Sequence, residues 1–231
     1  MGRGKLKRKA KAKAKRIKKI KSGRLVRFVL ANSPQKYNGW SNKYKYQSNI
    51  HNLIYKGASF SNDKFQNCTI TRCNFKQTNF EDVDFAHCNL KGSSFKNATL
   101  TNVTFFNCNM KAVDFEGAKF SNVVFICMSI DAISNLPEAG HITLKKYPQI
   151  THQQLIDSAM SLARYDELYK YHILNVSKTK VNHWYLHLLA TQYSNYDEVA
   201  SGLSKLCESE RKRDFITLSS YKKFLDKYLK V

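Results

Sequence analysis

Three groups of residues in this 231-residue chain have the types and spacing to do chemistry. His183 and His187, in HWYLH, would share one face of a helix a turn apart, as two imidazole metal ligands do. Trp184 stands where a zinc hydrolase carries glutamate, and two ligands fall short of the three or four protein ligands that zinc takes. Ordinary helix histidines are therefore the simpler reading, and no metal is expected. Cys68, Cys88 and Cys108 recur every 20 residues, with Cys73 beside the first. The third group is cationic. Residues 1–24 hold 13 Lys and Arg and no acid, among them Lys7, Arg8, Lys9, Lys11, Lys13, Lys15, Arg16, Lys18 and Lys19. Such a run repels itself and is expected to be a disordered tail. Each cation that neutralises a phosphate releases counterions, so the tail is expected to contact a polyanion (DNA, RNA, a ribosome or an anionic membrane surface) with steep salt dependence and no sequence preference. Aromatic residues that would stack on single-stranded bases are missing from it.

The cysteines gain their meaning from a period of five. From Ile50 to Ile130, seventeen positions spaced by five are all large and apolar, including Phe65, Phe75, Phe80, Phe85, Leu90, Phe95, Phe105, Phe115 and Phe125. Neither a helix, with period 3.6, nor a strand, with period two, buries every fifth residue. Two residues before each centre the side chain is usually small, and Cys68, Cys73, Cys88 and Cys108 fall in that slot, where a thiol serves as a compact filler. Asp63 is the exception. Columns at a spacing of 20 lie beneath the shorter repeat: Phe65, Phe85, Phe105 and Phe125 form one, and Ile50, Ile70, Leu90, Met110 and Ile130 another. Two inward residues in five suit a chain that turns a corner every five residues and closes a square after 20. Asn62, Asp82, Asn102 and Asn122 occupy one corner column, as expected for residues that tolerate left-handed backbone.

Residues 48–132 resemble the pentapeptide-repeat family, whose consensus is A(D/N)LXX with Leu or Phe at the centre. The resemblance implies a mainly β solenoid, a right-handed quadrilateral β-helix, of about four coils. Residues 25–47, with strand-like LVRFVL at 25–30, are expected to cap its N-terminal end. Residues 133–231 lose the repeat and read as an α-helical C-terminal domain, resembling no known family, with helices near 152–175, 180–193, 196–212 and 219–230. The first is expected to start with Thr151 as N-cap and Gln154 closing a capping box, and Asn195 with Glu198 forms another. Tyr221, Phe224, Leu225, Tyr228 and Leu229 give the last helix an apolar stripe, suited to packing on its own bundle or to a homodimer or partner contact.

Composition limits the function. The net charge of +22 is concentrated at the N-terminus, and residues 48–132 nearly balance, with eight bases and seven acids. No apolar run is long enough to span a membrane, and no secretory signal is recognisable. Six dispersed cysteines fit a reducing compartment, cytoplasmic, or nuclear in a eukaryote. Neither GxGxxG, GxxxxGK[ST] nor GxSxG occurs, so no enzyme and no cofactor are expected. The resulting expectation is a non-enzymatic scaffold that docks an unidentified protein partner and is held near a polyanion by its tail. The alternative is a protein that binds DNA or RNA directly. A third reading comes from the resemblance, since some pentapeptide-repeat proteins mimic duplex DNA and inhibit or protect gyrase. That needs a long acidic rod, and this coil is short and nearly neutral.

Overall fold

A computed structural model describes Ala14, residues 37–210 and residues 212–230. The basic tail residues and LVRFVL lie outside the described residues. Strands β1 (Gly39–Ser41), β2 (Tyr44–Tyr46), β3 (Asn49–His51), β4 (Ser59–Gln66), β5 (Thr69–Thr71), β6 (Asn79–Ala86), β7 (Thr99–Phe106), β8 (Lys119–Ile126) and β9 (His141–Leu144) wind into a β-solenoid of about five turns. The strands pair in parallel, and residue n faces residue n+20 from β1 to β8: Phe60 meets Phe80, and Phe85 meets Phe105. The coil's four faces turn four files of centres inward, buried except for partly exposed Trp40, Lys45 and Phe120 near the ends. The first contains Trp40, Phe60, Phe80, Leu100 and Phe120, and the second Lys45, Phe65, Phe85, Phe105 and Phe125. The third contains Ile50 and Ile70 and continues through Leu90 and Met110; the fourth contains Tyr55, Phe75, Phe95 and Phe115.

The stack is one turn taller than the five-residue pattern marks. Residues 37–47, expected as a cap, already follow the n+20 register, with Trp40 opposite Phe60 and Lys45 opposite Phe65. Lys45 at a centre position hides this turn from the pattern; its ammonium lies 4.9 Å from the Trp40 ring. At the other end, β9 pairs with β8 at a separation of 18, so Thr143 lies opposite Phe125 and residues up to Leu144 belong to the coil.

Inside, the second file stacks nearly parallel rings, with centroids 5.0, 5.1 and 5.3 Å apart from Phe65 to Phe125. The small slot has a reason beyond size. Cys68, Cys88 and Cys108 each donate from Sγ to the carbonyl 23 residues earlier, at 3.2, 3.3 and 3.3 Å. Thr78 and Ser93 donate in the same way from Oγ1 and Oγ, at 2.7 and 3.0 Å. Where the slot holds Cys, Thr or Ser the side chain thus also ties its turn to the preceding one, whereas Ala58, Val83, Ala98, Val103, Val113 and Val123 fill it with no donor. At the corner between the first two faces, Asn42, Asn62, Asp82, Asn102 and Asn122 hold φ of 51 to 56°, where Asn and Asp are the least strained non-glycine residues. Their amides form a ladder: Asn62 donates to Asn42, Asn102 to Asp82 and Asn122 to Asn102, at 2.8, 3.0 and 2.9 Å.

After the coil come α1 (Gln153–Ser161), a 3₁₀ turn (Leu162–Arg164), α2 (Asp166–Tyr169), the hairpin β10 (Asn175–Ser177) with β11 (Lys180–Val181), α3 (His183–Ala190), α4 (Tyr196–Glu208) and α5 (Leu218–Leu229). The single helix expected over 152–175 is corrected to three short pieces. Tyr165 is extended, at φ −104° and ψ 109°, and Asp166 and Glu167 start a new helix after it. The first N-cap is His152, not Thr151: its Nδ1 accepts from Leu155 N at 3.2 Å. Asn195 caps α4 by accepting from Asp197 N at 2.9 Å. Tyr221 and Leu225, from the α5 stripe, are buried within the helical domain, whereas Tyr228 remains 40% exposed.

Candidate functional site

The helical domain covers the coil's second face. On that face the outward positions are Tyr44, Lys64, Asp84, Thr104 and Val124, followed by Gln66, Ala86, Phe106 and Ile126. Val124 and Ile126 join one apolar core with residues of all five helices, and Tyr44 and Phe106 pack against it. This signal was available in the sequence. The same outward slots on the other faces are mostly polar, and only here do they turn apolar towards the top of the stack.

Two charges are sealed at this junction. Lys64 and Asp84, register partners on adjacent strands, are each 1% exposed. Lys64 Nζ donates to the carbonyls of Tyr171 and His172, at 2.6 and 3.3 Å, and lies 5.7 Å from the Tyr185 ring. Asp84 Oδ2 accepts from Leu218 N at 3.0 Å, at the first turn of α5, where the helix dipole favours a negative charge. The Asn corner is tied down by the same helix. Thr217 Oγ1 and Ser220 Oγ donate to Asn62 Oδ1 at 2.9 and 2.7 Å, Asn62 Nδ2 donates to the Asp214 carbonyl at 3.0 Å, and Lys223 pairs with Asp82. Nothing in the sequence distinguishes Lys64 or Asp84 from surface charges. Their burial is decided by where the helices land.

Burial dominates both titrations. It lowers Lys64 to about 8 and raises Asp84 to about 6, with each charge partly opposing the other's shift. Asp63, in its inward slot, also rises to about 6 by burial, although Lys43 N donates to its Oδ1 at 2.7 Å. The signs follow from linkage. Between about pH 4 and 6 the folded carboxyls hold protons that the unfolded chain has released, so their contribution to stability falls as pH rises. From about pH 8 upwards the unfolded Lys64 holds a proton that the folded one has lost, so its contribution rises with pH. His87 and His172, lowered chiefly by burial, act in the opposite sense to the carboxyls in the acid window. Urea unfolding at a series of pH values is therefore expected to show a rise between about pH 8 and 9.5 that Lys64→Met abolishes, and an acid limb that differs between wild type and Asp84→Asn. Equal profiles in all three proteins would refute the assignment.

All nine centres named from the sequence, from Phe65 to Phe125, and Cys68, Cys88 and Cys108 are buried. All six cysteines are free thiols, with Cys127 exposed at a corner and Cys207 partly buried on α4. His183 begins α3 and His187 lies in its last turn, and among the described residues no group of three or more His, Cys, Asp or Glu is arranged to hold a metal. No described helix is long and apolar enough to cross a membrane.

Among the described residues, nothing covers the first, third and fourth faces. Lys56 and Lys76 form one exposed column on the fourth face, opposite the covered one. Arg72 lies at the adjoining corner, and Lys91 and Lys111 form a column on the third face. Columns 20 residues apart are one strand spacing apart, about 4.8 Å. None of these five cations has a salt bridge among the described residues, whereas Lys96 is paired with Asp114 and Glu116. The first face presents Ser59, Ser61, Asn79, Glu81, Thr99, Thr101, Lys119 and Ser121.

Residues 48–125 match the family model described as pentapeptide repeat region. No curated protein matches the sequence. Among solved structures, QnrB1, a plasmid-mediated fluoroquinolone resistance protein, is 19% identical over 48% of this chain and 67% of its own, at a TM-score of 0.38. A pentapeptide repeat protein from the thylakoid lumen of Arabidopsis thaliana is 16% identical over 53% of this chain and 74% of its own, at 0.32. HetL, a pentapeptide repeat protein involved in heterocyst differentiation regulation in the cyanobacterium Nostoc, is 13% identical over 42% of this chain and 51% of its own, at 0.32. Likenesses this remote carry no statement about activity. The period of five, the n+20 register and the matching family model together identify residues 48–125, about a third of the chain, as a pentapeptide repeat region.

Proposed function

We propose that the protein is a non-enzymatic binding scaffold that holds a protein partner close to a polyanion such as DNA or RNA. The observation that carries this reading is the strip of unpaired cations on the open third and fourth faces: Lys56, Arg72, Lys76, Lys91 and Lys111. It adds fixed positive charge on the rigid coil to the Lys- and Arg-rich residues 1–24. The first face, flat and rich in hydroxyls and amides, is the surface left for a protein partner.

The test is the affinity for a labelled random-sequence DNA duplex across a salt series. Three proteins are compared: the full chain, the chain lacking residues 1–24, and the variant Arg72→Glu/Lys76→Glu/Lys91→Glu. The log–log salt slope is expected to become shallower by about 0.9 for each phosphate no longer neutralised, so by about 2–3 in the triple variant. An unchanged slope in that variant would remove the strip from the proposal. Loss of all binding on deletion of residues 1–24 alone would make the body a passenger.

A DNA-mimic reading, suggested by the mode of action of some pentapeptide-repeat proteins, is less favoured. On these open faces the unpaired cations outnumber the unpaired acids, Glu81 and Asp131, which is the sign of a phosphate binder, not of phosphate. Gyrase supercoiling in the presence of a quinolone is expected to be unchanged by this protein.

A further inference from the structure

Beside the sealed charges, a cavity of about 440 Å³ opens between the coil's second face and the helical domain. Its size is that of a small-molecule site. We infer that it binds a small organic anion carrying a planar ring, about the size of a nucleoside monophosphate. This inference does not rest on the scaffold proposal.

The lining determines the sign of the ligand. Lys64, Lys180, His87, His172 and His183 contribute to it, and no Asp or Glu does. Lys64 is 1% exposed and its ammonium already donates to the Tyr171 and His172 carbonyls, so exposed Lys180 is the lining cation that meets a ligand. The first turn of α3 also faces the cavity, through Asn182, His183 and Trp184. The Asn182 side chain accepts from Tyr185 N, so it caps one of the free N–H groups of that turn. The remaining first-turn N–H groups and the helix dipole favour an anion.

A second, independent observation points to a ligand. Two polar atoms of lining residues are buried without a hydrogen-bond partner among the described residues: Tyr185 Oη and His183 Nδ1. Tyr185 itself is 1% exposed. A buried polar group without a partner is costly and rare, and here two residues that line one cavity each carry one. His87 is oriented for the same task. If its Nδ1 accepts from Asn107 Nδ2, at 3.1 Å, then Nε2 carries the proton and is the donor left over.

The planar ring follows from the walls. Phe106 lies 6.4 Å from Trp184, and Tyr147 lies 5.5 Å from it edge-on, so three aromatic rings border the space. Tyr147 and Val176, each about half exposed at 51% and 54%, form the mouth. Aromatic walls with a cationic, donor-rich wall beside them suit a ring attached to a phosphate or a carboxylate.

The test uses full-length Trp40→Phe protein, in which Trp184 is the single tryptophan. Adenosine 5′-monophosphate and benzoate represent the phosphate and carboxylate forms of the ligand, and inorganic phosphate represents the anion without a ring. At least one ring anion is expected to change Trp184 fluorescence saturably, with affinity at least tenfold above that of inorganic phosphate. Lys180→Ala and His183→Ala are expected to weaken it tenfold or more. The strip variant Arg72→Glu/Lys76→Glu/Lys91→Glu is expected to leave it unchanged. Lys180 is exposed at the cavity edge, so its variant keeps the test valid should His183→Ala fail to fold. No saturable signal from either ring anion at millimolar concentration overturns the inference. So does binding indifferent to Lys180→Ala, or binding abolished in the strip variant.

Discussion

Phe85→Ala is expected to lower the unfolding free energy by about 3–5 kcal/mol, the range for deleting a buried aromatic side chain. Phe85 is 1% exposed, in the middle of the second file, with Phe65 at 5.0 Å below and Phe105 at 5.1 Å above. Neither neighbour can collapse into the gap, because each is held by its own strand in the n+20 register. The cavity term therefore adds to the forfeited transfer energy. Phe120→Ala, at a partly exposed centre near the top of the stack, is the internal comparison and is expected to cost less. Urea denaturation of both variants checks the difference. Stability in a stacked array is close to a sum of turns and their interfaces, so a central defect is felt on both sides. Equal, small effects at the two positions would mean that the file does not carry the coil.

The second large effect concerns the junction. Lys64→Met is expected to destabilise by about 3–5 kcal/mol, because it leaves Asp84 as an uncompensated buried charge. Adding Asp84→Asn should restore most of that stability. The asparagine keeps an oxygen to accept from Leu218 N, at the position where Asp84 accepts at 3.0 Å, and removes the charge. The pair thus forms a double-mutant cycle with a coupling energy of about 1–3 kcal/mol. Amide hydrogen exchange in α5 is a second readout, since that helix starts on Asp84 and should lose protection in Lys64→Met. A neutral Lys64→Met, with α5 protected as in wild type, would show that the lysine fills space without balancing the carboxylate.

Both predictions concern residues with very different visibility in the sequence. Phe85 announces itself, since it stands in a period of five and in a column of 20, and either spacing alone implies an inward centre. Lys64 and Asp84 occupy outward slots in that same repeat, where charge is ordinary. Only the docked helical domain makes them interior. Partial signals existed. Ala86, Phe106, Val124 and Ile126 break the polar habit of outward positions on a single face, which marks the covered side. The first turn of the coil was hidden by the opposite fault: Lys45 puts a charged residue where the repeat demands an apolar one. The break in the first helix was hidden because Leu162, Ala163 and Leu168 keep burying apolar residues across Tyr165, and periodicity does not register a change of backbone. The cavity below α3 had no signal in the chain at all. Its lining comes from positions between 64 and 185, which only the folded chain brings together.

By itself the sequence determined the coil. Its register, inward files, small slots and Asn corners are local and repeated, and each turn votes for the same geometry. What only the tertiary structure decided is which face the helices cover, which charges that docking seals and which polar atoms it strands around a cavity. Those outcomes depend on one junction between unlike surfaces, made once, so no repetition in the chain records it.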